Sequence, residues 1–323
     1  MEGTLNILRR LPLTLILLLI ALNCRADYAR DFMDIAPSAR EAALGGGGVS
    51  NCKGTFAIFW NPAVLELQTN GVGFGMSHRT ILGLETYDFI STAYTLPRYG
   101  SIGIGWIRLG VGDIPLYPEL PGSHDERLVN PYMRSDFTPI GYLDDVETAF
   151  VLSYSQAPVR YFRYYRGEKV IALGASMKIF AQRIGKMRGK GVGWDLGMMV
   201  VLSGIKGWNM RVGSMISDLF TSTIRWNNGT SDIIPADFRI GISGERQIGK
   251  WGTLTLLGAI KTRYSPNFSL GAEIGISDML FLRAGIANLE PSFGAGFKVK
   301  GLTLDYALEM KGLSRSHLVS IRM

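Results

Sequence analysis

Gly301-Leu302-Thr303-Leu304-Asp305-Tyr306-Ala307-Leu308 decides the fold. Leu302, Leu304, Tyr306 and Leu308 leave one side of the chain; Thr303, Asp305 and Ala307 leave the other. Alternation with period two is the signature of a strand, because successive side chains point to opposite faces of the pleat. The same small or charged face returns along the chain. In 168–182 Ile171, Leu173, Ala175, Met177 and Ile179 oppose Gly174, Ser176 and Lys178. In 191–203 Val192, Trp194, Leu196, Met198, Val200 and Leu202 oppose Gly193, Asp195 and Gly197. In 267–276 Phe268, Leu270, Ala272, Ile274 and Ile276 oppose Gly271, Glu273 and Gly275. A soluble sandwich buries its apolar face, whereas a membrane barrel turns it to lipid and keeps the polar face for an enclosed lumen.

The chain's start favours the barrel. Arg9 and Arg10 precede an apolar run from Leu11 to Leu22, too short for a stable membrane helix and typical of an export signal. Cleavage is expected after Ala26, with lipidation at Cys24 as the alternative. Both readings place the protein outside the cytoplasm. Hydrophobic residues make up 47% of the chain, charged ones 19%, and 40 of 323 residues are glycine, about 12% against a usual ~7%. After Leu22 no apolar run reaches membrane-helix length. This balance suits a chain that meets lipid with every second residue and suits a soluble enzyme poorly. Two cysteines, Cys24 and Cys52, exclude a disulfide framework. The net charge of +7 comes from basic residues spread along the sequence, which points to anionic lipid rather than nucleic acid.

Strand spans are expected at 71–78, 84–96, 101–111, 144–156, 168–182, 191–203, 207–216, 236–246, 251–263, 267–276, 279–287, 292–299, 301–309 and 314–323. About fourteen antiparallel strands, an even number, suit an outer-membrane barrel. Tight turns alternate with longer connections, chiefly Gly112 to Leu143 and Ser217 to Pro235, which puts both termini on the short-turn, periplasmic side. The phase of 101–111 shifts near Trp106, where a bulge is expected. Asp27 to Leu67 is not strand-like. It offers a short helix capped by Ser38 and stopped at Gly45, and a helix start at Asn61-Pro62. The expected organisation is a signal at 1–26, an N-terminal hatch at 27–69 and a barrel at 70–323. Lys178, Asp195, Arg211, Arg239, Glu273, Arg283 and Asp305 fall on lumen faces, since Arg or Lys facing lipid at the midplane would cost about 2–4 kcal/mol.

Phe59-Trp60-Asn61-Pro62-Ala63 resembles the WNPA box of the PorV/PorQ branch of the FadL-like outer-membrane proteins. Ser38-Ala39-Arg40 leading to Leu44-Gly45-Gly46-Gly47 is similar to the same family, as are Tyr87-Asp88-Phe89, Leu96-Pro97, and Arg108 to Val111 with Asp113-Ile114-Pro115. So are Ser217-Asp218-Leu219, Ile234-Pro235-Ala236, Phe238 to Gly241, Gly271-Ala272-Glu273, Leu282 to Gly285 and Leu304 to Ala307. Their order, over nearly the whole mature chain, carries the likeness. It implies a fourteen-stranded barrel with a hatch in the lumen. It implies either carriage of secreted cargo in a type IX secretion-like system or, as an alternative, passive transport of hydrophobic molecules such as long-chain fatty acids. The acidic pair that the family often has before the box is missing; the stretch reads Ser50-Asn51-Cys52-Lys53-Gly54. In the transport reading Phe56, Phe59, Trp60, Asn61, Pro62 and Ala63 would gate or contact the ligand, and packing of the plug is their plainer role.

No catalytic or cofactor pattern stands out. His78, His124 and His317 lack neighbours at ligand spacing, no G-x-S-x-G elbow is present, and Gly45 to Gly48 lacks a following Gly-Lys-Ser/Thr. No metal or cofactor is expected. Asp144, Asp145 and Glu147 read as a solvated loop mouth rather than a calcium loop. Arg160 to Arg166 reads as an interfacial aromatic belt with snorkelling arginines rather than a nucleic-acid stacking surface. Arg183, Lys186, Arg188 and Lys190 cluster in an expected outer loop, where they suit lipopolysaccharide phosphates as well as plain solvation.

Overall fold

The computed structural model describes residues 31–68, 71–130, 138–163, 167–263, 267–311 and 314–323. The expected signal at 1–26 and Cys24 lie outside them. The strands are β1 (Val72–Ile81), β2 (Glu85–Leu96), β3 (Gly100–Leu116), β4 (Gly141–Arg163), β5 (Gly167–Ile184), β6 (Met187–Ile205), β7 (Trp208–Ser217), β8 (Ser222–Trp226) and β9 (Ser231–Ile234). They continue as β10 (Asp237–Ile248), β11 (Gly252–Lys261), β12 (Asn267–Ile276), β13 (Leu280–Ala287), β14 (Glu290–Val299), β15 (Leu302–Lys311) and β16 (Ser314–Arg322). Each of β1 to β6 pairs antiparallel with the next, β7 pairs with β10, β10 to β16 pair in turn, and β16 returns to β1. Fourteen strands therefore close a barrel.

The hairpin β8–β9 is an addition within the long connection expected from Ser217 to Pro235. It stacks on β6 above β7: Leu196 to Ile205 of β6 face β7, while Gly189 to Val192 face β8. The expected bulge near Trp106 is also corrected. The registers of β3 run unbroken through Trp106, and the shift falls between Val111 and Ile114. Ile107 points inward because the bore beside it is apolar, so polarity there does not mark the face. Asp144, Asp145 and Glu147, expected at the edge of the strand 144–156, lie a few residues inside β4, which begins at Gly141. Arg160 lies after a register shift between Gln156 and Val159 and reaches Glu66 at 3.9 Å, and the other side chains of the expected belt, 161–166, lie outside the described residues.

Alternation sets the walls. Leu302, Leu304 and Tyr306 are 41–48% exposed, while Thr303, Asp305 and Ala307 are buried. On β6 the outward row from Val192 to Leu202 spans ten residue steps. At ~3.3 Å per step and a tilt of ~40° this projects to about 25 Å, the height of a lipid-facing band. Both termini of the barrel meet at the tight-turn end, where Phe74 and Met323 exchange backbone hydrogen bonds of 2.9 and 3.2 Å.

Residues 31–68 fill the bore with α1 (Ala39–Ala43), α2 (Ala57–Trp60) and 3-10 turns at Asp31–Met33, Gly54–Phe56 and Pro62–Leu67. Helix α1 ends as expected at a left-handed Gly45 (φ 74°), and Gly46 N–H closes on Glu41 C=O at 2.8 Å. Ser38 occupies the N-cap position, but its hydroxyl donates to the Glu41 carboxylate rather than serving the helix backbone. Asn61 caps the last turn by accepting the Ala63 N–H at 3.1 Å, with Pro62 in the first helical position.

The inward glycines form the floor on which this plug rests. A Cβ on Gly285 of β13 would strike the backbone of Leu44 and Gly45; on Gly271 of β12, the Leu44 carbonyl at 2.7 Å; on Gly294 of β14, the Ala43 side chain. Gly174 and Gly197 hold the same relation to Asn61, Pro62 and Ala63, and Gly213 to the Val49 carbonyl. Gly285→Ala is expected to destabilise the barrel by about 1–3 kcal/mol in detergent urea unfolding, the usual cost of overpacking. Gly141→Ala, where a Cβ would have nothing within 4 Å, is the control expected to stay at wild-type stability. Equal stability of the two variants would refute the close plug–wall contact.

Candidate functional site

The plug divides the bore into two sides of different chemistry. Toward β2 to β6 the packing is apolar. Phe56 stacks on Phe89 (β2) with centroids 5.3 Å apart, and Phe32 meets Phe180 (β5) edge-on at 6.4 Å. Ile58 and Leu65 join Ile107 (β3), Val151 (β4), Ala172 (β5) and Met199 (β6) in the same cluster. Toward β10 to β16 and β1 the packing is ionic. Arg40 of α1 donates to both oxygens of Glu273, at 2.8 and 2.9 Å, and Glu273 also accepts from Arg283. Arg283 continues to Asp305 at 2.8 Å, and Asp305 to Arg322 at 2.6 Å. Arg79 pairs with Glu309, and Arg239 bridges Asp237 (2.7 Å) and Asp34 of the plug (3.0 Å).

A second ionic knot closes the wall where β7 and β8 meet on β6. Lys178 pairs with Asp195 and, at 3.1 Å, with Asp218; Arg263 pairs with Asp218 at 3.0 Å. Asp195 accepts the Asp218 N–H at 2.9 Å and the Ser217 hydroxyl at 3.0 Å. Leu219 N–H bonds Trp194 C=O at 2.8 Å, so the wall stays joined across the step.

All seven charges assigned to the lumen by alternation lie on the bore face. Lys178, Asp195, Arg239, Glu273, Arg283 and Asp305 are buried in the pairs above. Arg211 is partly buried opposite Ser243 and Val201, on the side of Lys53 and Glu245. The alternation missed Arg79, Asp34, Glu309, Asp218, Asp237 and Arg263. Glu309 follows from the parity of Thr303, Asp305 and Ala307 within the expected 301–309, and Arg79 from the same parity once β1 is extended to Ile81. Asp237 shares the inward parity of Arg239, and Arg263 that of Thr255 and Leu257, at the ends of the expected 236–246 and 251–263, whereas Asp218 lies in the connection between β7 and β8, where no periodicity operates.

The six plug residues singled out as ligand contacts are all buried. Asn61 works as a tie: its amide donates to Val49 C=O and to Met198 C=O of β6, both at 3.1 Å. Trp60 donates to Ser38 Oγ at 3.3 Å and lines a cavity of about 190 Å³ at the long-loop end, with Asp34, Gly45, Gly46, Arg239 and Glu309. Phe59 borders a void of about 10 Å³ where the apolar Met33, Ile58 and Val151 meet the polar Lys178, Asp195, Ser217 and Arg239. A larger cavity of about 340 Å³ opens at the tight-turn end, lined by Arg40, Lys53, Thr55, Glu245, Glu273, Arg322 and others. The two larger cavities share no lining residue; Arg40 faces one, while Gly45 and Gly46, just past the end of the same helix, face the other. Phe56 and Pro62 to Ala63 line neither.

Arg183, Lys186, Arg188 and Lys190 are exposed, but not in a loop. Arg183 lies in β5, Arg188 and Lys190 in β6, and only Lys186 in the turn between them. His78 bonds Asp88 at 2.7 Å and His317 bonds the Tyr306 hydroxyl at 2.8 Å, both exposed. Among the described residues no three His, Cys, Asp or Glu side chains converge as a metal site requires.

No protein-family model matches the chain, and no curated relative matches it in sequence. Solved structures match it in shape. The crystal structure of the Pseudomonas putida toluene transporter TodX aligns with a TM-score of 0.55 at 13% identity, covering 90% of this chain and 97% of that one. A deltaS2 mutant of the TodX monoaromatic hydrocarbon channel aligns with a TM-score of 0.51 at 11% identity, covering 91% and 98%. The likeness is one of fold: a closed, antiparallel fourteen-stranded barrel.

Cys52 is fully buried in the plug, and burial pushes its thiol well above the usual range. It is therefore expected to resist maleimide labelling in a folded Cys24→Ser chain. Glu273→Gln leaves the buried Arg40 and Arg283 guanidinium groups short of a counter-charge, a loss of about 3–5 kcal/mol for such pairs. Cys52 labelling is expected to rise at least tenfold in that variant while the barrel stays folded. An unchanged labelling rate would show that the ion pair does not hold the plug.

Proposed function

We propose that this chain is an outer-membrane channel for small hydrophobic molecules, exported by its N-terminal signal and inserted with both termini in the periplasm. The observation that carries the reading is the apolar lane between the plug and β2 to β6, in a barrel whose fold is that of a toluene transporter. The rest of the bore is ionic and would hold water and hydrophilic solutes in place rather than dissolve a hydrocarbon. A small void beside Phe59 interrupts the packing of that lane, and at about 10 Å³ it is no larger than a water. Passage therefore requires side chains of the lane, or the plug itself, to shift. Phe56 and Phe59 stand on the lane and Trp60 on the cavity at the long-loop end, which makes them the ligand-facing members of the plug. Asn61, Pro62 and Ala63 fix the plug to the wall. The cargo-carrying role rests on the sequence resemblance alone.

In a strain deleted for the gene, uptake of labelled toluene or a long-chain fatty acid at low micromolar concentration is expected to fall several-fold. The wild-type chain should restore it. A Thr55→Cys/Ser91→Cys pair, at the plug–wall position where the two hydroxyls lie 2.6 Å apart, oxidised to tie plug to β2, should not restore it until reduced. Unchanged uptake together with loss of secreted proteins from the cell surface would replace this reading with the cargo one.

A further inference from the structure

The outer wall carries a charge pattern that the bore does not explain. Strand register sets Arg183 of β5 opposite Arg188 of β6, and Lys190 of β6 opposite Arg225 of β8. All four are exposed and share the parity of the lipid-facing row Ile179, Val192 and Trp194, which are 47–48% exposed. Like charges directly opposite each other in a ladder are destabilising. Here two such pairs sit side by side on three neighbouring strands. Among the described residues no carboxylate lies within ion-pair distance of any of the four, and none has an interaction left undescribed. Asp144 stands on the same face, two positions from Val146, which is the partner of Arg183; its carboxylate accepts the Asp113 N–H at 3.4 Å. Arg225 reaches this place only because β8 stacks on β6 above β7, so the extra hairpin completes the patch.

The patch lies at the long-loop rim, immediately above the apolar band that starts at Ile179 and Val192. A ligand that neutralises it has several anionic oxygens at the rim and acyl chains below it. We propose that Arg183, Arg188, Lys190 and Arg225, with Lys186 in the adjoining turn, bind the phosphate groups of an outer-leaflet glycolipid of the lipid A type, whose acyl chains lie along β5 and β6. Guanidinium groups suit phosphate through charge-assisted, bidentate hydrogen bonds. The site is independent of what passes through the bore.

The test is native mass spectrometry of the folded, detergent-solubilised barrel titrated with bis-phosphorylated lipid A. The wild type is expected to bind it at least tenfold more tightly than the same lipid stripped of its phosphates. The Arg183→Gln/Arg188→Gln/Lys190→Gln/Arg225→Gln variant should lose that preference. A control removing four charges at the opposite rim, Arg98, Lys206, Lys250 and Lys300 to Gln, should keep it, and retained heat-modifiable mobility on gels shows that both fold. Equal binding by the variant, equal binding of the dephosphorylated lipid, or equal loss in the control would overturn the proposal. So would loss of a co-purifying protein, but not of lipid A, in the variant, since that would make the patch a protein interface.

Discussion

Backbone-to-backbone contact between the plug and an inner wall of glycines is the constraint on which the rest of the structure depends. Leu44 and Gly45 lie where Cβ atoms of Gly271 and Gly285 would be, and Asn61 and Pro62 occupy that space at Gly197. With wall and plug this close, the cavities at the two ends of the bore are lined by separate sets of residues. Close contact of backbones also means that polar groups of the plug must be satisfied by the wall. Asn61 meets this need with carbonyls of Val49 and Met198, and Ser292 Oγ donates to Ala43 C=O at 3.1 Å.

The charges do a different job from the glycines. Buried ion pairs gain little over apolar packing, but breaking one is costly because it strands its partner. The chain Arg40–Glu273–Arg283–Asp305–Arg322 joins α1 to four strands, so it fixes where the plug sits rather than how tightly the barrel coheres. On the opposite side, flat apolar contacts such as Phe56 on Phe89 carry no comparable directional demand. The apolar side is tied by neutral hydrogen bonds, Asn61 to Met198 C=O of β6 and Thr55 to Ser91 of β2, so parting there strands no charge and that side is the one expected to open.

The barrel was legible in the sequence because lipid imposes the strictest pattern, apolar at every second position. β12 and β15 show it cleanly, and all fourteen barrel strands follow from it. The pattern fails where the bore is itself apolar, as at Ile107, because both faces then carry aliphatic residues. It also fails for β8 and β9, which are short and stack on another strand's end, so that their wall position depends on a register that no local signal encodes. The glycines were visible as gaps on the lumen face. Their partners in the plug were not, since Gly285 and Gly45 are brought together only by the closed topology. In the same way the pairing of Arg40 with Glu273 joins residues whose charges alternation could place but not match. The basic residues at 183–190 were visible as a cluster, while Arg225 joins them only through the ladder between β6 and β8.

Planar-bilayer conductance of the purified barrel tests the central claim most directly, comparing the intact chain with one lacking residues 31–68. Docking of the plug on the glycine floor predicts no steady ionic current through the intact barrel and a uniform open-pore step once the segment is removed. An intact barrel that conducts ions as freely as the truncated one would contradict it.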